Sequence, residues 1–385
     1  MLRLKSCLLA ALLLAVLPRA FAAPVPKAPE IAARSYVLQD FATGRVLAAQ
    51  GGNERVEPAS LTKMLTVYIA FDALQADELE LGQMVRVSKN AQQAPGSRMF
   101  IEAGTEVSVE DLLRGIIVQS GNDASVALAE FMAGSEETFA ELMNQHASAL
   151  GMKDSHFVNA TGLPHPDHYT TAADMVRLAT ATIREFPDYY TWYKEREFTY
   201  KPPRSPHPIT QQNRNRLLAW DESVDGLKTG HTESAGFCLV SSAQREGMRL
   251  VAAVMGSPSY NVRFEESQKL LNYGFRFYET RRLFRGGEPR TTIRVYGGEP
   301  QEVEIGLAQD FYVTLPRGGF DGLEAIVQTP ERPLAPLAVN QPVGHLEVRQ
   351  GGETVAASPL VPLEPVARGG LVRRAIDRVL MMLPW

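Results

Sequence analysis

Residues 57–64, Glu57-Pro58-Ala59-Ser60-Leu61-Thr62-Lys63-Met64, open a run whose apolar residues recur at helical spacing as far as Leu74. Residues three apart share a helical face, so the Lys63 amine can reach the Ser60 hydroxyl. A serine hydroxyl is a poor nucleophile until a neighbouring base takes its proton. Lysine serves as that base once desolvation or nearby positive charge makes it neutral. At a helix start the Ser60 backbone N–H is also free to donate to a developing oxyanion. Alone the pattern is weak, since composition supplies roughly half such a match by chance.

Two further motifs give it weight. Ser120-Gly121-Asn122 lies between a helical run ending near Gln119 and another starting near Ala124. Lys228-Thr229-Gly230 stands just before a strand pattern. Each is expected roughly 0.04 times by chance in a chain of this composition, so all three in this order are not accidental.

The 385 residues suffice for two domains, and with 45% hydrophobic and 22% charged residues the chain has the composition of a folded protein. A formal charge of −5 lacks the basic surplus of a duplex binder, so no nucleic-acid partner is expected. Cys7 and Cys238 are too few for a disulfide framework or a Cys-ligated zinc site. No metal or other cofactor is expected. His165-Pro166-Asp167-His168 offers ligand types, but it is a proline-containing stretch without a third ligand and reads as a surface loop. Trp192-Tyr193 beside Tyr189-Tyr190 reads as packing, and Glu195-Arg196-Glu197 as a solvated strand or edge.

Residues 1–22 have the features of a secretory signal peptide: Arg3 and Lys5, an apolar run from Leu8 to Leu17, then Ala20-Phe21-Ala22. That run is too short to cross a hydrocarbon core of ~30 Å comfortably, which disfavours the alternative of a retained anchor. Its removal would leave Cys238 alone, outside the cytoplasm. Residues 30–279 carry strand signals at both ends and helical periodicity between. The helical runs are Val109–Gln119, Ala124–Met132, Glu136–Leu150, Ala172–Arg184 and Arg263–Phe277, and Gly151 is placed to stop the third. This pattern predicts an α+β layer on an antiparallel sheet. Residues 280–363 hold short strand runs punctuated by glycine pairs, the pattern of a small all-β sandwich with a spacer or docking role. In residues 369–385, Leu371, Val372, Ala375, Ile376, Val379, Leu380, Met382 and Leu383 fill one half of a helical wheel, and Arg373, Arg374, Asp377 and Arg378 the other. An amphipathic helix of this kind suits the membrane interface, lying in its plane; packing on the β domain is the alternative.

The motifs and their surroundings resemble the serine-type D-alanyl-D-alanine carboxypeptidases, the low-molecular-mass penicillin-binding proteins. The resemblance rests on Glu57–Met64, Gln119-Ser120-Gly121-Asn122-Asp123-Ala124, Asn213-Arg214-Asn215, Asp225–Thr232 and Ala235-Gly236-Phe237. It implies a penicillin-binding-protein/β-lactamase-like transpeptidase domain, then the β-sandwich, then an amphipathic anchor helix. It further implies a periplasmic enzyme, peripheral on the inner membrane, that removes the terminal D-alanine from peptidoglycan pentapeptide stems and is acylated by β-lactams. On this resemblance Ser60 is the nucleophile, Lys63 its base, and Ser120 the proton relay to the leaving D-alanine. Asn122 holds the substrate amide and the Lys63 amine. Lys228 and Thr229 bind the terminal carboxylate, a role that suits a fixed cation beside a hydroxyl. The strand residues Gly230 and His231 border the substrate, with the N–H groups of Ser60 and His231 as the oxyanion hole. Arg214 and Arg263 match arginines near the carboxylate end. A D,D-endopeptidase would use the same residues, and a β-lactamase the same cleft. Class A β-lactamases deacylate with a glutamate on a loop, whereas residues 152–174 contain none, which argues against fast penicillin turnover.

Overall fold

The computed structural model describes residues 25–382, so the signal-peptide segment and Leu383–Trp385 lie outside the described residues. Five antiparallel strands form the central sheet: β1 (Ser35–Asp40), β2 (Val46–Gln50), β3 (Val224–Thr232), β4 (Gly236–Arg245) and β5 (Met248–Ser257), in the spatial order β2-β1-β5-β4-β3. Side chains alternate across a strand. In β5, accordingly, Leu250, Ala252 and Val254 enter one apolar cluster while Val251, Ala253 and Met255 enter another on the opposite face. The expected α+β layer is therefore present, with a core on each side of the sheet.

One face is covered by α1 (Lys63–Gln75) and the helices that follow it: α2 (Asn122–Ala133), α3 (Glu136–Ala149) and α4 (Ala172–Glu185). The other face is covered by α5 (Val262–Phe277), which contributes Phe264, Leu270 and Leu271. Every residue from Lys63 to Phe71 is buried, so α1 has no solvent face until its last turn, where Asp72 and Gln75 are exposed. The polar punctuation acts as it should: the side chains of Ser135 and Thr171 cap α3 and α4, and Gly151 follows α3 with φ +74°.

Two details depart from the sequence reading. The run Val109–Gln119 is not one α-helix; after Arg114 it widens into a π turn, Gly115–Gln119, that ends on Ser120. Short hairpins also occur at Met84–Arg86 with Glu106–Ser108 and at Glu197–Tyr200 with Ile209–Gln212.

The second domain starts with the strand Tyr278–Phe284, which pairs with Phe311–Pro316. Facing this pair is a five-stranded sheet in the order Pro289–Arg294, Glu302–Gly306, Glu353–Pro362, Gly344–Gln350, Leu323–Gln328. Ile305, Val313, Leu315, Leu346 and Val348 belong to one cluster between them, which makes a sandwich. It joins the first domain through a polar knot: Asp40 accepts from Thr43 and Thr280, and both threonine hydroxyls reach Thr314.

The terminal helix α6 (Leu371–Leu380) lies on this sandwich by its polar side. Asp377, only 1% exposed, accepts from the Gly297 N–H at 2.7 Å and ion-pairs with Arg294 and Arg373. Leu371, Val372, Ile376 and Val379 consequently face outward, each more than half exposed. The helix is packed on the β domain and yet keeps its apolar stripe free. Among the described residues no helix is long and apolar enough to cross a membrane.

Candidate active site

Ser60 sits in a single tight turn, Ala59–Thr62, that runs straight into α1. The residue before it, Ala59, has φ +48°, a strained conformation for a residue with a Cβ. Lys63 opens α1 fully buried. Its Nζ donates to Ser60 Oγ at 3.1 Å and to the Thr161 carbonyl at 2.6 Å. The i, i+3 spacing thus does what it predicted. Among the described residues no carboxylate bonds the amine. Burial, reinforced by the Arg214 guanidinium, brings Lys63 down to about 7, while Asp123 and Glu136 pull the other way. A buried lysine in that range is a competent base near neutral pH.

Ser120 ends the π turn with φ +67°, a second strained residue at a motif position. Its Oγ is buried without a hydrogen-bond partner among the described residues, and so is Asn122 Oδ1. Asn122 Nδ2 donates to the Pro95 carbonyl at 2.5 Å. The expected Asn122 contact with the Lys63 amine is not made in this structure, because the amine is already held by Ser60 and Thr161.

The third motif lies on β3, which runs beside the nucleophile turn. Gly230 makes that approach possible: a Cβ there would lie 3.0 Å from the Pro58 carbonyl. Lys228 is 2% exposed, donates to the Thr229 carbonyl at 3.2 Å, and is held well below the usual lysine range by burial and then by Lys63, Arg214 and Arg263. Thr229 is buried, and exposed His231 stacks on Phe237 of β4. Arg263 donates to the Gly230 carbonyl at 3.2 Å and lies against Phe237, Tyr260 and Phe264. Ser60, Ser120, Thr229, Gly230, His231, Arg214 and Arg263 together line one open cleft of about 460 Å³. Lys63, Asn122 and Lys228 are buried residues outside that lining.

Other quoted residues support the cleft from outside. Asp225 pairs with Arg249 and accepts from Tyr190, and Asn215 donates to the Gly226 carbonyl. Among the described residues no group of three or more His, Cys, Asp and Glu could hold a metal ion.

One sequence expectation is corrected in part. His165, Pro166 and Asp167 are on an exposed loop as expected, but His168 at its end is 2% exposed and 2.8 Å from Thr62 Oγ1. Burial, then His156, His165 and Lys63, push it down to about 4, so the ring is neutral. Its Nδ1 accepts from the Val158 N–H, which leaves the proton on Nε2 to donate to Thr62. A proline-flanked His-x-x-His has no periodicity that could announce this burial. Sequence reasoning also missed Ser97 and Tyr260 in the cleft wall. Ser97 lies in a loop that Asp123 fixes by accepting from the N–H groups of Met99, Phe100 and Ile101. The tight Pro95-Gly96-Ser97 turn was the available signal.

Comparison with known proteins agrees with this geometry. The family described as D-alanyl-D-alanine carboxypeptidase matches residues 22–259, and the C-terminal domain of penicillin-binding protein 5 matches residues 278–368. The D-alanyl-D-alanine carboxypeptidases DacC and DacA of Escherichia coli are 42% and 41% identical, covering 94% and 93% of this chain and 92% and 89% of their own. The crystal structure of penicillin-binding protein 5 from Haemophilus influenzae superposes with a TM-score of 0.83 at 38% identity, over 89% of this chain and all of the other. The match runs along nearly the full length of these relatives, and the chain, with its cleft where Ser60 and Lys63 meet beside the Lys228 strand, belongs to the D-alanyl-D-alanine carboxypeptidase family of serine peptidases.

Proposed function

We propose that the enzyme removes the terminal D-alanine from peptidoglycan pentapeptide stems through a Ser60 acyl-enzyme, at the periplasmic face of the inner membrane, and that penicillins acylate the same serine. The observation that carries this reading is electrostatic. Lys63, Lys228, Arg214 and Arg263 gather at the Ser60 end of the cleft: Arg214 disfavours the charged form of Lys63, Lys228 and Arg263, and Lys63 and Arg263 disfavour that of Lys228. Among the described residues no carboxylate lines the cleft. Such a site is completed by an anion, and the free carboxylate of a terminal D-alanine supplies one.

In this scheme neutral Lys63 takes the Ser60 proton as Oγ attacks the carbonyl between the two D-alanines. The backbone N–H groups of Ser60 and His231 receive the developing oxyanion. Ser120, whose hydroxyl has no partner among the described residues, passes a proton to the departing amine, and Asn122 Oδ1 accepts from the substrate amide. Lys228, as a cation, pairs with the bound carboxylate while Thr229 donates its hydroxyl. Water then releases the shortened stem. The outward apolar stripe of α6, with arginines beside it, supports peripheral attachment to the membrane surface.

The test is D-alanine release from a muropeptide pentapeptide by wild type and by Ser60→Ala. Release by the first and loss of at least ~10³-fold in the second is the expected result. Equal release by both, or cleavage confined to cross-linked dimers, would overturn it.

A further inference from the structure

The Lys63 amine depends on one backbone carbonyl, that of Thr161, and the structure shows what aims it. Asn159 Oδ1 accepts from the N–H groups of Thr161 at 3.2 Å, Gly162 at 2.7 Å and Leu163 at 3.2 Å, and from Thr161 Oγ1 at 3.0 Å. Asn159 Nδ2 donates back to the Leu163 carbonyl at 3.0 Å. A single side chain therefore closes the whole 159–163 loop on itself. The Ala160 peptide is clamped from both sides as well: Glu136 of α3 accepts its N–H at 3.0 Å and Thr66 of α1 donates to its carbonyl at 2.8 Å. Gly162, with φ +84°, lies so close to the nucleophile turn that a Cβ on it would be 1.8 Å from the Ala59 carbonyl. The loop thus touches the two sides of the catalytic pair, Ala59 before Ser60 and the amine of Lys63.

We propose that Asn159 is a positioning residue for acylation, fixing the Thr161 carbonyl so that the Lys63 amine is held dry and beside Ser60. This rests on the Ser60 and Lys63 roles proposed above. The charged and titratable groups around Lys63 are Arg214 and Lys228 from the cleft side, Asp123 from α2, Glu136 from α3 and His168 from the loop stem. None of these is altered when Asn159 is changed. A shift in the protonation of Lys63 in such a variant therefore reports loop placement and water entry.

The experiment measures the acylation rate of the full chain by a fluorescent penicillin between about pH 5 and pH 9. In wild type the rate climbs through about pH 7 as Lys63 loses its proton. Asn159→Ala slows acylation about ten- to a hundredfold and moves the climb to higher pH, because water relieves the desolvation that lowers Lys63. Asn159→Asp keeps the acceptor for the three N–H groups and recovers the rate to within about fivefold of wild type at high pH, with the climb also displaced upward by the added anion. Asn144→Ala is the structural control: Asn144 holds the same stem at Phe157, accepting its N–H and donating to its carbonyl, and among the described residues its side chain bonds only Phe157 and the Ala140 carbonyl. It lowers the melting temperature and leaves the pH profile in place. An unmoved profile in folded Asn159→Ala, or an equal displacement in Asn144→Ala, overturns the inference alone. No acylation of wild type at any pH would overturn the Ser60–Lys63 reading, and the inference with it.

Discussion

Lys63 and Asp377 are the two ends of one contrast. Both are charged residues with almost no exposed surface. Asp377 is surrounded by groups that complement it, two arginines and a backbone N–H, and the result is a fixed joint between α6 and the β-sandwich. Among the described residues Lys63 has only a hydroxyl and a carbonyl as direct partners, and the influence of Arg214 on it outweighs that of Asp123 or Glu136. Its proton is therefore easy to lose, which is what the mechanism proposed above requires of it. On that proposal, buried charge is neutralised where the molecule needs a joint and left unmatched where it needs a reaction.

Replacing Lys63 by arginine tests the catalytic half most severely. Arginine does not give up its proton in proteins, so acylation by penicillin should fall by ~10²–10⁴-fold and the climb through pH 7 should vanish from the profile. Retained rate with an unchanged profile would show that another group takes the Ser60 proton.

Lys228→Ala separates binding from base chemistry within the same cation cluster. Loss of one charge-assisted contact to the terminal carboxylate should lower kcat/KM for the pentapeptide by about ten- to a hundredfold. An analogue with an amidated C-terminus should lose far less, and equal losses on both substrates would sink the carboxylate assignment.

The smallest effect on activity is expected at the joint. Asp377→Ala leaves Arg294 and Arg373 without their shared partner, so α6 should detach and the Gly369-Gly370 segment become open to protease. Pentapeptide hydrolysis in solution should stay within about twofold of wild type. Protection of Leu371–Leu380 from hydrogen exchange equal to wild type would show that Asp377 does not hold the helix.

The three motifs were legible because each is short, contiguous and placed at an element boundary that periodicity or glycine marks. The same local regularity exposed β5 and α3 and the alternation of the sandwich strands. What stayed hidden depends on contacts between distant segments. Phe157–Leu163 resembles the family's loop at the cleft border, but what Asn159 and Thr161 do there depends on Lys63, some hundred positions away. His168 reads as loop because its burial is decided by Thr62. Glu136 lies outside residues 152–174, where an acid near the cleft was sought, and reaches the Ala160 N–H from the start of α3. The π turn before Ser120 differs from an α-helix by one hydrogen-bond step, and no composition signals that.

The close contact between Gly162 and Ala59 restricts how this protein can change under antibiotic pressure. Any side chain at position 162 would have to displace the carbonyl that precedes Ser60. On the mechanism proposed here, the cell-wall peptide and a penicillin are attacked by the same oxygen from the same position, so a shift there penalises both alike. Resistance arising in this enzyme would then have to come from the open cleft wall, at residues such as Ser97, Tyr260 or Arg214, where the two ligands can still be told apart.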